Sequence, residues 1–365
     1  MITTKTPVKA AVLLSLLALP LMAAGPAADS DWSQWRGPNR DGHSPDKGLL
    51  KDWPAGGPPL VWKATGIGGG FSSVSVSGDR IFTMGDQGDT CNIIALNLAD
   101  GKQVWAAKVG KTEGGGGYPG PRCTPSPDGK LVIALGQYGD LVCVDQSDGK
   151  EKWRKHLETD FGGKTPVWGY SESPLIDGNN VVCIPGGSKG AVIALNKVTG
   201  ETVWQCAEIK DAAAYTSLVP TEIGGKRQYL LLTFKTIAGI APDTGKVLWK
   251  GERKGETAVI PDPIQKDGYV FTTSGYGVGC NVFKVNGESA EELYSDAKSI
   301  AKPNDRTANH LGGMVLVGDH VYGTNESNLR CVELKTGKLV WENKGVGKGE
   351  VMVADGNLIV RSEGR

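Results

Sequence analysis

At 365 residues the chain is long enough for one large all-β domain or two ordinary ones, so length leaves the domain count open. Glycine makes up 53 positions and tryptophan ten, without a three-residue glycine period; this excludes a collagen-like fibre and implies many tight turns between short strands. Forty basic residues balance forty acidic ones with no long like-charge run, so no nucleic-acid partner is expected.

Residues 1–25 read as a secretion signal. Lys5 and Lys9 form a short basic region, Ala10 to Ala24 an apolar run, and Ala23, Ala24 and Gly25 a small-residue cleavage site. The run is short for a bilayer span, which needs about 20 residues. It has no cysteine near its end for a lipid anchor, and no second apolar run follows. The expected product is periplasmic or secreted, with no transmembrane segment after processing. Residues 26–57 then form an N-terminal arm and 58–365 the folded domain.

From residue 58 onward a repeat governs the chain. Ile94-Ala-Leu-Asn-Leu-Ala-Asp-Gly101-Lys-Gln-Val-Trp105 returns as Val142 to Trp153, Ile193 to Trp204, Gly239 to Trp249 and Cys331 to Trp341. In each copy a glycine stands four residues before the tryptophan, the pattern of a strand, a tight turn and a second strand. A degenerate copy over 278–294 carries Tyr294 in place of tryptophan, and Trp62 stands in an earlier strand without its partner. The aromatics at 62, 105, 153, 204, 249, 294 and 341 are 43 to 51 residues apart. A second hairpin precedes each of the others, as at Gly78, Gly129, Gly178, Gly318 and Gly356, so one unit holds four antiparallel strands.

Four-stranded units at this period predict an all-β fold, a β-propeller of seven to eight blades. Six units are complete. The expected seventh is split between the termini, with the strand around Trp62 outermost and the strands near 351–361 inside. The count favours a truncated version of a longer, eight-bladed design.

The Ala-Leu-x-x-x-[Thr/Asp]-Gly-Lys-x-x-Trp frame resembles the repeat of pyrroloquinoline-quinone (PQQ) dehydrogenases and of the outer-membrane assembly factor BamB. Asp31-Trp-Ser-Gln-Trp-Arg-Gly-Pro-Asn-Arg-Asp-Gly42 resembles the opening of PQQ-like propeller proteins abundant in Planctomycetes. Tyr118-Pro-Gly-Pro-Arg122, Trp168-Gly-Tyr170-Ser and Asn309-His310-Leu-Gly-Gly resemble further landmarks of that group. The resemblance implies a quinoprotein-like scaffold over roughly residues 31–365. Because one scaffold hosts many activities, it does not imply one chemistry.

Residues just before the innermost strands face the funnel mouth of a propeller. Here they are about Phe71, Arg122, Tyr170, Tyr215, Thr257, His310 and Glu350. With Tyr118, Trp168 and Asn309 they make a candidate ligand site of aromatics, Arg, His and Glu. The plainer reading is a plug that caps the tunnel. Asn309 and Glu350 are expected to approach His310. The partner expected at the funnel is a protein, a glycan or a small molecule.

No catalytic residue stands out. The seven cysteines form no C-x-x-C, adjacent pair or C-x-x-C-H, so zinc, thioredoxin-like and c-type haem readings fall away and no metal site is expected. No cofactor is expected under the binding reading. The alternative is a PQQ- and calcium-dependent dehydrogenase acting on an alcohol or polymer. By resemblance it would need a vicinal cysteine pair, which is absent, and calcium ligands for which Asp262 and Glu172 are the nearest candidates.

Overall fold

Apolar alternation and glycine turns fold each repeat into one antiparallel blade, strand against neighbouring strand. A computed structural model describes residues 31–112 and 117–363; the secretion signal expected over residues 1–25 lies outside them. Six four-stranded blades occupy 75–111, 126–156, 175–206, 219–252, 264–295 and 315–344. Blades 4 and 5 join edge to edge where Lys250 pairs in parallel with Ser289. Two one-turn helices, Leu157–Phe161 and Asp296–Ser299, lie in the loops between blades.

The aromatic in the repeat works between blades. In all six it stands opposite a partner on the third strand, namely Ala95, Cys143, Ala194, Gly239, Val282 or Cys331. The register shifts by one residue immediately after that pair in every blade. A bulge of this kind bends the strand and re-aims its side chain. The ring then lies over the turn glycine of the next blade. A Cβ at Gly101, Gly149 or Gly200 would fall 2.5, 2.8 or 2.9 Å from Trp62, Trp105 or Trp153. The indole N–H donates to a carbonyl beside that turn: Trp62 to Leu98, Trp105 to Gln146, Trp153 to Lys197, Trp204 to Pro242. Glycine is needed there for space and for its positive φ of about 70°.

Two junctions depart from the rule. Trp249 turns inward to Gln228 of its own blade, and Gly287 of the next blade faces open space. Among the described residues no glycine turn lies beneath Trp341, which is 40% exposed, against 8–9% for Trp105, Trp153 and Trp204.

The seventh blade is built from both ends, as expected, with the strands near 351–361 inside and one further strand from the arm. Gly349–Ala354 and Asn357–Ser362 form its inner hairpin. The N-terminal strand His43–Ser44 adds to it in parallel on the axial side, opposite Val353 and Ala354. Trp62 docks on blade 1 as a fourth-strand tryptophan does, yet residues 58–64 pair with no strand among the described residues. Among the described residues no strand pairs with the outer edge of Asn357–Ser362.

Polar side chains at the starts of the inner strands tie neighbouring blades together around the axis. Thr124 N donates to Ser173 Oγ (2.9 Å), Ser173 N to Ser217 Oγ (3.0 Å) and Ser217 N to Asp262 Oδ1 (2.7 Å). Such buried amides require partners, and each blade satisfies its neighbour's.

Candidate binding face at the funnel mouth

The first- and third-strand turns of the blades share one end of the ring, linked by Leu98 N to Asp79 O, Gln146 N to Lys130 O and Lys197 N to Asn179 O. The loops between blades open at the other end, and the candidate residues sit there. Three of their rings, with that of Tyr276, form a column across the mouth. Tyr215 lies 5.4 Å from Trp168, Trp168 lies 6.5 Å from Tyr276, and Tyr276 stacks on His310 at 5.1 Å. Phe234 meets Tyr215 edge-on at 6.1 Å. The column thus crosses from the loop before blade 3 to the loop before blade 6. Such pairs contribute about 0.5–1.5 kcal/mol each beyond burial.

Tyr276 is the member that sequence reasoning missed. It belongs to the turn Gly275-Tyr276-Gly277 inside blade 5, with positive φ, and not to a strand start. The flanking Gly275 admits it, since a Cβ there would collide with His310. His310 is held from its other side by Glu326 Oε1 at 2.9 Å, and its Nε2 faces Lys348 Nζ at 3.4 Å. Lys348 in turn pairs with Glu363 at 2.8 Å. The carboxylate on His310 is therefore Glu326 and not the expected Glu350, which is exposed beside Gly312. Asn309 is buried; its amide bonds Thr324 O and its carbonyl oxygen takes Leu311 N.

The remaining candidates separate in the same way. Tyr170 is buried and donates to Pro185 O at 3.0 Å, a packing role, and burial pushes its hydroxyl pKa up. Arg122 lies over the Phe71 ring at 5.1 Å and donates to Tyr118 O and Gly120 O, so it braces its own loop. Partial burial lowers its pKa without a carboxylate partner. Phe71, Tyr118, Tyr276 and Val167 all stand more than half exposed on this face.

The axis behind the column is filled by the arm, a feature no local pattern announced. Trp35 Nε1 donates to Asp262 Oδ2 at 2.8 Å. Arg36 donates to Gly312 O and Met314 O, and Arg40 to Ser173 O and Pro174 O. Both arginines are buried, and burial lowers their pKa. Glu172 accepts from Ile184 N at 2.6 Å, and burial pushes its pKa up to about 8. Asp262 is likewise raised. Of the two carboxylates that a calcium site would recruit, Asp262 is committed through both oxygens to Trp35 and Ser217, whereas Glu172 accepts from Ile184 through Oε1 and keeps a buried Oε2 without a partner. No cluster of three metal-ligating side chains occurs among the described residues. With both Asp262 oxygens engaged, the pair offers a calcium ion one free carboxylate oxygen, where calcium takes about six to eight oxygen ligands. All seven cysteines are buried and unpaired, and burial pushes the Cys123 thiol up to about 12.

The family model described as outer membrane protein assembly factor BamB matches residues 89–343. The chain belongs to that family. BamB of Shewanella oneidensis is 24% identical over 269 residues, 70% of this chain and 64% of that protein. BamB of Burkholderia pseudomallei is 33% identical over 147 residues, 40% of this chain and 32% of its own. The chain spans less than two thirds of the curated relatives it matches. The crystal structure of BamB from Moraxella catarrhalis superposes with a TM-score of 0.57 at 18% identity, covering 83% of each chain, and so shares the fold. Within the described residues no helix is long and apolar enough to cross a membrane.

Proposed function

We propose that this chain is an exported, non-catalytic binding module whose funnel face takes a protein partner. The carrying observation is the aromatic column of Tyr215, Trp168, Tyr276 and His310, with exposed Phe71, Tyr118 and Val167 on the same face. Aromatic and arginine side chains anchored by their own fold are what protein interfaces concentrate at their centres. A glycan stacks on open ring faces, whereas here the rings cover one another and Arg122 covers Phe71. That favours a protein surface over a sugar or small ligand. Membership of a family described as an outer membrane protein assembly factor supports an envelope location and a protein partner. The dehydrogenase alternative loses support because both oxygens of Asp262 are engaged by Trp35 and Ser217.

The test is photo-crosslinking in cell-envelope extract from a probe placed at Tyr276 or Tyr118, with a control probe at Lys226 on the opposite end of the ring. The expected result is one discrete protein adduct shared by the two funnel positions and absent from Lys226. Trp168→Ala should weaken it. Equal adducts from both ends, or none from the funnel, would overturn the reading. So would dye-linked alcohol oxidation on adding PQQ and Ca²⁺.

A further inference from the structure

The innermost strands turn backbone groups toward the axis at positions that the pairing registers fix. A two-residue turn closes an inner hairpin on a pair that exchanges both hydrogen bonds, so the residue one place earlier points its N–H and C=O away from its own blade. Those residues are Val76, Ile176, Glu222, Gln265, Leu316 and Val353. The arm meets four of them. Trp32 O accepts from Val76 N (2.9 Å), Gly42 O from Val353 N (2.8 Å) and Gln34 Oε1 from Ile176 N (3.1 Å), and Leu316 O accepts from His43 Nε2 (2.8 Å). Blade 2 carries Pro127 at this place, and Pro174, Pro220 and Pro263 stand two residues before Ile176, Glu222 and Gln265. Proline suits an open strand edge because it has no N–H to satisfy. What remains in the cavity of about 640 Å³ between the arm and blades 3 to 6 is Gln265, with both backbone groups open, and Leu316, with its N–H open. Neither open group has a partner among the described residues, and the Gln265 side chain is turned to Thr221 Oγ1 (2.8 Å). Glu222 is exposed and lies outside the cavity lining.

We propose that this axial cavity binds a short extended peptide with small side chains, which adds to Ile264–Lys266 as the arm strand His43–Ser44 adds to Gly349–Ala354. A peptide backbone alternates acceptor and donor at the spacing of a strand edge, so it accepts from Gln265 N and donates to Gln265 O along one side. A bare anion answers only the N–H groups. The volume falls within the range of about 300–1,000 Å³ usual for small-ligand sites, which admits a few small residues and no folded partner. The arm supplies the precedent within the same ring: unpaired backbone at the axis is met by an extended segment wherever one reaches it. The site lies at the end of the ring away from the aromatic column and stands independently of the funnel reading.

The probe is tetra-alanine capped as its N-acetyl amide, titrated into the purified chain while the Gln265 and Leu316 amide resonances are followed by NMR. Its fully N-methylated form, which keeps the shape and loses every backbone donor, is titrated beside it. Saturable shifts at both amides are expected, with at least tenfold weaker binding for the N-methylated peptide. Gln265→Pro should weaken tetra-alanine at least tenfold as well, since it removes the N–H at a place where this fold already carries proline in blade 2. Glu222→Pro, the same change in blade 4 outside the cavity, should leave binding unchanged. The methylated peptide leaves the protein unaltered, so misfolding of Gln265→Pro would not remove the test. Equal binding of the two peptides would mean filling by shape alone, and no saturable shift would mean that water suffices at this edge. Slow hydrogen exchange at Gln265 and Leu316 in the peptide-free protein would mean that the chain itself occupies the cavity. Each of these three results overturns the proposal.

Discussion

Gly200→Ala places a methyl group 2.9 Å from the Trp153 ring, in the turn that blade 3 offers to blade 2. Gly178→Ala is its control, because Gly178 also has positive φ (57° against 72°) and has nothing within 4 Å of the added carbon. Both substitutions carry the left-handed backbone penalty of about 1–2 kcal/mol. Only the first forces the indole out of its slot. Withdrawal of Trp153 forfeits its bond to Lys197 O (2.9 Å), which contributes about 1 kcal/mol. It also forfeits part of the packing of a ring that is 8% exposed. Complete loss of a buried tryptophan costs about 3–5 kcal/mol, which sets the ceiling. Gly200→Ala should therefore destabilise by roughly 2–4 kcal/mol more than Gly178→Ala. Equilibrium urea unfolding followed by tryptophan fluorescence and far-ultraviolet dichroism measures both. If the two substitutions fall within about 0.5 kcal/mol of each other, the ring does not hold the blades together as argued.

Gly287→Ala should behave like the control and not like Gly200→Ala, since Trp249 has left that slot; the same urea titration decides. Trp35→Phe removes the donor to Asp262 Oδ2 inside the tunnel, should cost about 1–3 kcal/mol, and should speed tryptic cleavage after Arg36 and Arg40 in limited proteolysis. Glu172 binds its proton up to about pH 8 when folded, against an ordinary value of 4.5. The native state then holds more protons than the unfolded chain, so this residue's contribution is most favourable below pH 4.5. It declines as pH rises through the window and is level above about 8. Glu172→Gln should remove that decline, its melting temperature rising relative to wild type from pH 4.5 to 8; a constant offset would refute it. Iodoacetamide should label none of the seven cysteines in the folded chain and all seven in urea, by mass spectrometry, because burial keeps the thiols protonated and enclosed.

What the sequence disclosed follows from the range over which each signal acts. The blades were legible because strand, Gly turn and Trp lie within a dozen residues, as in Ile94 to Trp105. Their docking on the next blade was not, since the bulge after Ala95 appears only when strands are paired. Strand starts located Tyr215 and His310 correctly at the mouth. The same periodicity proposed Tyr170, which its loop turns inward, because position along a repeat fixes height and not side-chain direction. Tyr276 lay in a turn that the strand-start rule does not sample; the Gly-Tyr-Gly triplet was its only local sign. The arm was opaque for a different reason. Arg36 and Arg40 find their carbonyl partners 133 to 278 residues away, beyond any local pattern.

Closure at both levels of the axis decides where a partner can act. Trp35, Arg36 and Arg40 lie along the axis, bonded to the inner strands, behind the aromatic column that crosses the mouth. A cavity of about 640 Å³ remains at the opposite end, between the arm and the inner strands of blades 3 to 6. There Asp177 is already paired with Arg227 (2.5 Å) and bonded by Tyr229. Asp177 and Arg227 thus satisfy each other there, while the Nε of Arg40 in the same lining has no partner. Rigid anchors with unburied surface are found instead on the funnel rim, where Tyr276 is braced by Trp168 and His310 yet stays 61% exposed. Ordering such a side chain has been achieved before any partner arrives, so contact there forfeits less conformational entropy than contact with a free side chain. Under the proposed function, the rim around Tyr276 is where a partner would gain most per contact.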